Sequence, residues 1–152
     1  MDDRLFKSAM GKFASGVTVI TTETDEIYGM TANAFMSVSL DPKLVVVSVS
    51  KNATCHEKIK EAGTFSVSIL SQEQEKYSMY FARQLKEDIE VSFERFEGQP
   101  IIEDSLASLV CRVHSTHETG DHTLFVGEVI NLQVQDGDPL LYFEGKYNKF
   151  AE

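Results

Sequence analysis

The sequence has no tryptophan, two cysteines and three prolines in 152 residues, and its 14 Lys and Arg are outnumbered by 24 Asp and Glu. Each shortage excludes something. Two cysteines, Cys55 and Cys111, are too few for a disulfide scaffold and suit a reduced, cytoplasmic setting. A formal net charge of −10 repels a phosphate backbone, so nucleic acid is not an expected partner. No apolar stretch reaches the roughly 20 residues of a membrane span, and the acidic start Met1-Asp2-Asp3 is unlike a secretory signal, so no membrane partner is expected. No G-x-G-x-x-G follows a strand and no Walker sequence occurs, which removes the standard dinucleotide and P-loop folds. No Ser-His-Asp set or pair of catalytic carboxylates stands out. Redox chemistry on such a chain falls to a cofactor, with the protein supplying binding and orientation.

What is present is a hydrophobic fraction of 42% and a charged fraction of 25%, the balance of a soluble globular chain, and a length that fits one domain over 1–152. Asp2 and Asp3 cap a first helix with Leu5, Phe6, Ala9, Met10 and Phe13 on one face and Gly16 as its stop. Strands follow at Val17 to Thr21, at "IYGMTA" after the turn Thr24-Asp25-Glu26, and at Phe35 to Leu40 before Asp41-Pro42. "KLVVVSVS" is apolar on both faces as far as Val47, which predicts a buried central strand. Asn52, Ala53 and Thr54 open a short helix through Ile59, ended by Gly63, and "TFSVSIL" is the next strand. Ser71 with Gln74 forms a capping box before a helix reaching about Phe81. Residues 84–107, with their charge and Gly98 and Pro100, predict an irregular excursion. Leu109 to Glu118 and Thr123 to Gln135 are two long strands around the tight turn Thr119-Gly120-Asp121, and "LLYFEGKY" is a final strand after the turn Asp136 to Pro139. Six or seven strands in adjacent antiparallel pairs, with two or three peripheral helices, predict a mainly β, Greek-key-like fold closed as a small or split β-barrel.

Three constellations carry chemistry. Thr31, Asn33, Ser37 and Ser39 are followed by Ser48, Ser50, Lys51 and Thr54. Alternate strand residues share a face, so Ser37 pairs with Ser39 and Ser48 with Ser50, and Lys51 leads to a helix N-terminus, where free N–H groups favour an anion. The set suits a local phosphate pocket in an acidic protein, although half-exposed strand serines account for it as well. The second is "TGDHTLFVGEV", where His122 directly follows the turn Gly120-Asp121; a surface turn histidine is the simpler reading of those residues alone. The third, Cys111, His114 and His117, has the wrong spacing for zinc, since His114 falls on the opposite strand face from the other two. Cys55 and His56 are adjacent on a helix and diverge, so they do not make a nucleophile and base.

"GMTANAFMSVSLDPKLVVVSVS", then "GDHTLFVGEV", then "PLLYFEGKY", together with the opening "MDDRLFKSAMGKFASGVTVITT", closely resemble the short-chain flavin reductases, the reductase components of two-component flavin monooxygenases acting on phenols and hydroxyphenylacetates. The resemblance covers nearly the whole chain and is weakest between about Gln84 and Pro100. It implies an FMN-binding-type split β-barrel holding FMN or FAD, usually a homodimer with flavin near the subunit interface. It implies hydride delivery from NADH or NADPH and release of reduced flavin to a separate oxygenase. Met30, Thr31, Ala32, Asn33 and Ala34 are implied to lie along the isoalloxazine ring, and Ser37, Val38, Ser39, Ser48, Val49, Ser50, Lys51 and Thr54 along the ribityl chain and phosphate. Phe81, Ala82 and Arg83 are implied to close over the flavin, with Tyr147 in the C-terminal flavin-contacting segment. Gly120, Asp121 and His122 correspond to the nicotinamide-side turn, His122 positioning the nicotinamide. Ala34 stands where relatives often have Ser, which removes one hydrogen bond to flavin. The alternative on the same fold is a non-enzymatic flavin-binding electron carrier.

Overall fold

The computed structural model describes residues 1–150. Asp2 caps helix α1 (Asp3–Gly11) by accepting the Arg4 amide at 2.9 Å. The helix stops at Gly11, and Gly16 belongs instead to a two-residue strand, β1 (Ser15–Gly16). Its apolar face is left largely open by the other described residues: Leu5, Phe6, Met10 and Phe13 are each more than half exposed. The chain continues through β2 (Thr18–Glu23), β3 (Ile27–Ala32), β4 (Phe35–Ser39), β5 (Leu44–Ser50), α2 (Thr54–Ala62) and β6 (Thr64–Ile69). A 3₁₀ turn at Gln72–Gln74, held by the Ser71 and Gln74 capping box, feeds α3 (Glu75–Phe81). Then come β7 (Phe93–Phe96), β8 (Gln99–Ile102), β9 (Ala107–Thr119), β10 (His122–Val134), β11 (Leu141–Phe143) and β12 (Lys146–Asn148).

Seven strands form one antiparallel sheet in the order β3-β2-β6-β9-β10-β5-β4. The two outer strands, β3 and β4, are consecutive in the chain and joined only by Asn33 and Ala34. Three Cα steps cannot span more than about 11 Å, so the sheet must curl until its edges approach each other. The Ser48 amide, which donates to the Ala34 carbonyl at 3.1 Å, extends the β4–β5 pairing by one residue into that link. The two edges form no ladder, so the barrel stays split.

Among the described residues the strands number twelve rather than six or seven, because two short hairpins and β1 are separate elements. Both hairpins turn at Phe-Glu-Gly. Glu97 and Gly98 have φ of 52° and 75°, and Glu144 and Gly145 the same pair of values, as type I′ turns require. The predicted final strand is therefore the hairpin β11–β12, and the stretch after α3 carries the hairpin β7–β8. β5 is not buried on both faces. It lies one place from the edge, and only Val45, Val47 and Val49 point inward while Leu44, Val46, Ser48 and Ser50 are half-buried.

One core fills the inside of the curl with Ile20, Val47, Val49, Phe65, Val67, Cys111 and Phe125, closed by Cys55 and Ile59 of α2. A second lies on the other face of β2, around Val17, Val19, Leu70, Ile102 and Leu140, with Tyr77, Phe81, Tyr142 and Tyr147 against it. β2 is thus buried on both faces and is the central strand in that sense. Gly127 on β10 is required by the first core: an added Cβ would lie 2.6 Å from the Phe65 ring and 2.8 Å from Cys111 Cβ, both fully buried. Gly127→Ala is expected to destabilise the fold by about 1–3 kcal/mol through overpacking. Urea denaturation measures this, and a variant as stable as the parent would contradict the packing.

Candidate functional site: a groove along an open strand edge

As an outer strand, β3 has backbone N–H and C=O groups on one side that no neighbouring strand takes up. α3 covers part of that side, and the Thr31 hydroxyl donates to the Ser78 carbonyl at 2.5 Å. The Phe81 ring lies directly on Gly29, where an added Cβ would come within 2.5 Å of it, so only glycine admits the ring there. Past Phe81, α3 ends in a Schellman-type cap: the Arg83 amide donates to the Tyr80 carbonyl and the Gln84 amide to the Met79 carbonyl. Arg83 itself takes φ of 60°, at a position that glycine fills in most helices. A non-glycine residue there costs about 1–2 kcal/mol, and the cost is accepted at a place where the guanidinium reaches the Thr54 hydroxyl at 3.4 Å.

Thr54 begins α2. The cap residue Ala53 has no side-chain acceptor, so the first amides of the helix stay open toward the same space. β3, the start of α2 and the end of α3 enclose a cleft of about 450 Å³, within the range of about 300–1,000 Å³ usual for small-molecule sites. A smaller cavity of about 140 Å³ adjoins it across Thr31 and Ala82, and is walled by Asn33, Tyr142 and Tyr147. In it the Ser78 hydroxyl and the Tyr147 phenol hydrogen-bond at 2.7 Å, which fixes Tyr147, and Tyr142 meets Tyr147 edge to face.

The cleft joins Met30, Thr31, Ser50, Thr54, Phe81, Ala82 and Arg83 of the expected set, and the smaller cavity adds Asn33 and Tyr147. Other residues fall elsewhere. Ser37 faces Val45 and Ser39 faces Leu44 across the β4–β5 ladder, so the two Ser-Val-Ser segments are out of step. At about 3.3 Å per residue, Ser37 is some 16 Å along β5 from Ser50, and Ser37, Val38 and Ser39 line neither cavity of this chain. Val49 and Ala32 point their side chains into the core, and Ser48 lies opposite Leu124 outside both cavities. Ala34 offers a backbone carbonyl already taken by Ser48. Lys51 turns from the cleft to the hairpin: its ammonium pairs with Glu118 at 3.2 Å, holding that carboxyl below the usual range, and its amide donates to the Asp121 carbonyl. The cation at the cleft is Arg83.

Gly120 and Asp121 form a two-residue turn, with φ of 65° at Gly120. His122 lies across from Ser50 on the neighbouring strand, which brings it to the rim of the cleft. Its Nδ1 is 2.7 Å from Asp121 Oδ1, and this hydrogen bond keeps the Asp121 carboxyl below its ordinary pKa. Nδ1 bears the proton donated to that carboxylate, leaving Nε2 toward solvent. His56 is turned from Cys55 to the Thr123 hydroxyl, 2.7 Å from Nε2. Burial raises the Cys55 thiol to about 11 and the Cys111 thiol to about 12, so neither is a thiolate near neutral pH.

Sequence reasoning missed Gly29, Asn52, Ala53 and Cys55 in the cleft, and Val17, Ser78, Gln84 and Tyr142 in the smaller cavity. Gly29 carried a signal, since a glycine inside a strand marks a close approach. The others are brought in by tertiary packing alone.

An edge strand with free backbone groups, an uncapped helix start and one arginine suit a flat ligand with an anionic tail. A family described as flavin reductase like domain matches residues 10–151. The chain belongs to that family. It is 47% identical over 145 residues to the NADH-dependent flavin reductase of a Rhodococcus species, covering 93% of this chain and 82% of the relative. It is 42% identical over 148 residues to the reductase component of 4-hydroxyphenylacetate 3-monooxygenase from Thermus thermophilus, covering 96% and 95%. Among solved structures, the flavin reductase PheA2 in its native state superposes with a TM-score of 0.98 and 54% identity over the full length of both chains. The NADH:FAD oxidoreductase SgcE6 of Streptomyces globisporus, in complex with NAD and FAD fragments, superposes at 0.92 with 39% identity, covering 98% and 93%.

Arg83 and Lys51 can be separated by experiment. Arg83→Gly removes the strained cap and is expected to hold or raise stability by about 1 kcal/mol, while flavin binding weakens by about 1.5–3 kcal/mol for the lost charge-assisted contact. Lys51→Ala is expected to leave flavin affinity within about twofold of the parent, because only the exposed pair with Glu118 is lost. Fluorescence-quenching titrations with FMN and FAD, beside denaturation curves, measure both. Equal weakening in the two variants would return Lys51 to the site.

Proposed function

We propose that this protein is an NADH-dependent flavin reductase, an oxidoreductase of one domain that passes reduced flavin to a separate monooxygenase component. The observation that carries the reading is the cleft in which the uncapped start of α2 and the Arg83 guanidinium meet beside the open edge of β3. These residues fit a flavin. Thr54, Ser50 and the first α2 amides are donors for its phosphate, Arg83 is the counter-charge, and the β3 edge with Asn33 supplies groups for the polar rim of the ring. Bound there, flavin supplies a two-electron acceptor for hydride from reduced nicotinamide.

The chain's own contribution is placement. Phe81 on Gly29 and the Ser78–Tyr147 pair hold the walls of the groove, and the approach of two flat rings depends steeply on such alignment. His122, steered by Asp121, stands where it can orient the nicotinamide nucleotide at the cleft rim. No side chain is assigned as acid or base, since hydride transfer requires none. The Rhodococcus relative is named NADH-dependent and SgcE6 an NADH:FAD oxidoreductase, and an acidic balance suits that choice over a donor with an extra phosphate.

The active form is read as a homodimer, located in the cytoplasm. Support for the dimer comes from the uncovered face of α1, from Met36, Val38 and Leu40 at the β4 edge, and from Ile130, Leu132 and Val134 on β10, all well exposed. So much apolar surface is unusual on a lone chain. Ser37 to Ser39 would then lie near a second copy, which gives them a route to the partner's flavin that one chain lacks.

Three measurements test the reading. In anaerobic stopped-flow absorbance with flavin and NADH, rapid bleaching of the oxidised flavin band is expected, and bound flavin that NADH leaves oxidised would support the electron carrier instead. His122→Ala is expected to keep flavin affinity, raise the NADH KM and lower kcat; unchanged kinetics would make it a surface residue. Sedimentation at micromolar concentration is expected to give a dimer, and a fast-reducing monomer would contradict that part.

A further inference from the structure

The first turn of α2 faces two ways. Thr54 and Cys55 line the cleft, while the next side chain, His56, is buried and turned toward β10. Its Nδ1 donates to the Glu57 carboxylate at 3.1 Å, and with the ring proton there Nε2 accepts the Thr123 hydroxyl at 2.7 Å. Thr123 is fully buried and directly follows His122. Neighbouring strand residues point to opposite faces, so an anchored Thr123 fixes how the His122 imidazole is presented at the rim. Among the described residues this is the only side-chain hydrogen bond between α2 and β10. We propose that His56 and Thr123 are positioning residues, a buried pair that sets the phosphate end of the cleft at a fixed distance from the nicotinamide side. The proposal rests on the reading of the cleft and its rim as the flavin and nicotinamide sites.

Apolar packing alone would hold α2 in place without fixing its register. Cys55 and Ile59 seat the helix on the inner core, and burial of that kind has no direction. A hydrogen bond does, and a buried polar group that loses its partner is costly, so the helix start has one low-energy place relative to β10. The imidazole is braced as well, edge-on against Phe125 with 5.6 Å between ring centroids. β10 is fixed in turn by its ladder to β5, where His122 faces Ser50 and Thr123 faces Val49. Lys51, between β5 and α2, pairs with Glu118 of the same hairpin, but both side chains are exposed and such a pair is worth little. The separation between the open amides of Thr54 and Cys55 and the His122 imidazole is therefore set through His56 and Thr123. That separation decides how a ring anchored by its phosphate meets a ring anchored at the rim, and hydride transfer depends steeply on that alignment.

Thr123→Val keeps the shape of the side chain and removes the hydroxyl, and Thr123→Ser keeps the hydroxyl. Both are compared with the parent in flavin titration, in steady-state kinetics with NADH, and in the long-wavelength absorbance that stacked flavin and nicotinamide rings give when NAD⁺ is added to the reduced protein. Thr123→Val is expected to hold flavin affinity within about twofold, to lower kcat about tenfold and to reduce the stacking band by about half or more, with Thr123→Ser restoring both. His56→Leu is expected to match Thr123→Val, and the double variant to be no worse than either, as for two residues that act as one unit. A lowered Tm with parental kcat and parental stacking band would make the pair ordinary packing and overturn the proposal, leaving the reductase reading intact. Failure of Thr123→Ser to restore kcat, or additive losses in the double variant, would overturn it too. Should Thr123→Val not fold, His56→Leu against His56→Gln, which keeps a polar atom toward Thr123, decides the matter. Should the parent show no stacking band, kcat and its rescue by serine decide it. A parent that binds no flavin would remove the flavin reading and this proposal with it.

Discussion

The two residues Asn33 and Ala34 constrain everything else. They carry the chain from one edge of a seven-stranded sheet to the other, and a link so short requires the sheet to curl. A flat sheet would bury one face. A curled one encloses Phe65, Phe125, Val47 and Ile20 in a core that α2 closes, and it leaves the two edges close together without pairing. The unpaired edge of β3 is where the groove forms. Most proteins cover or blunt such an edge. Here α3 covers only part of it, and the uncovered length becomes a surface of free backbone groups with Phe81 laid across it at Gly29.

Charge is arranged around that groove against the overall balance. With a net charge of −10, an anionic ligand is attracted only where donors are concentrated and carboxylates are kept away or paired. The start of α2 offers amides and Arg83 a guanidinium. Glu118 is held by Lys51, and Asp121 is held by His122. The same hairpin thus neutralises carboxylates near the rim and aims the imidazole. Placing Arg83 in a left-handed backbone conformation costs stability at the end of α3, and the cost falls where ligand charge has to be met.

Much of this was legible in the sequence, and the limits have physical causes. "GMTANA" could be read as a binding strand because its residues are contiguous, and a strand keeps neighbours together. The capping box at Ser71 and Gln74, the Gly63 stop and the turn at Gly120-Asp121 are local features, and all three stand. The expectation that both Ser-Val-Ser segments form one hydroxyl cluster fails within the chain because register is not local: a bulge between Ser37 and Ser39 and a short link at Asp41-Pro42 set them out of step. The sequence makes Lys51 a phosphate ligand, and it cannot show that Glu118, far away in sequence, lies beside the ammonium. The doubled Phe-Glu-Gly hairpins were hidden because glutamate at positive φ is uncommon, and a single long strand fitted "LLYFEGKY" equally well. The apolar stripe that the spacing predicts on α1 is present, and among the described residues it stays more than half exposed.

The account turns on where the flavin phosphate lies, and amide hydrogen exchange with and without flavin locates it most directly. Protection is expected at the amides of Thr54 and Cys55, which have no partner inside α2, and along Met30 and Thr31 on the open edge of β3, with little change at Lys51. Protection confined to Ser37 through Ser39, with the start of α2 exchanging as fast as in the free protein, would contradict it.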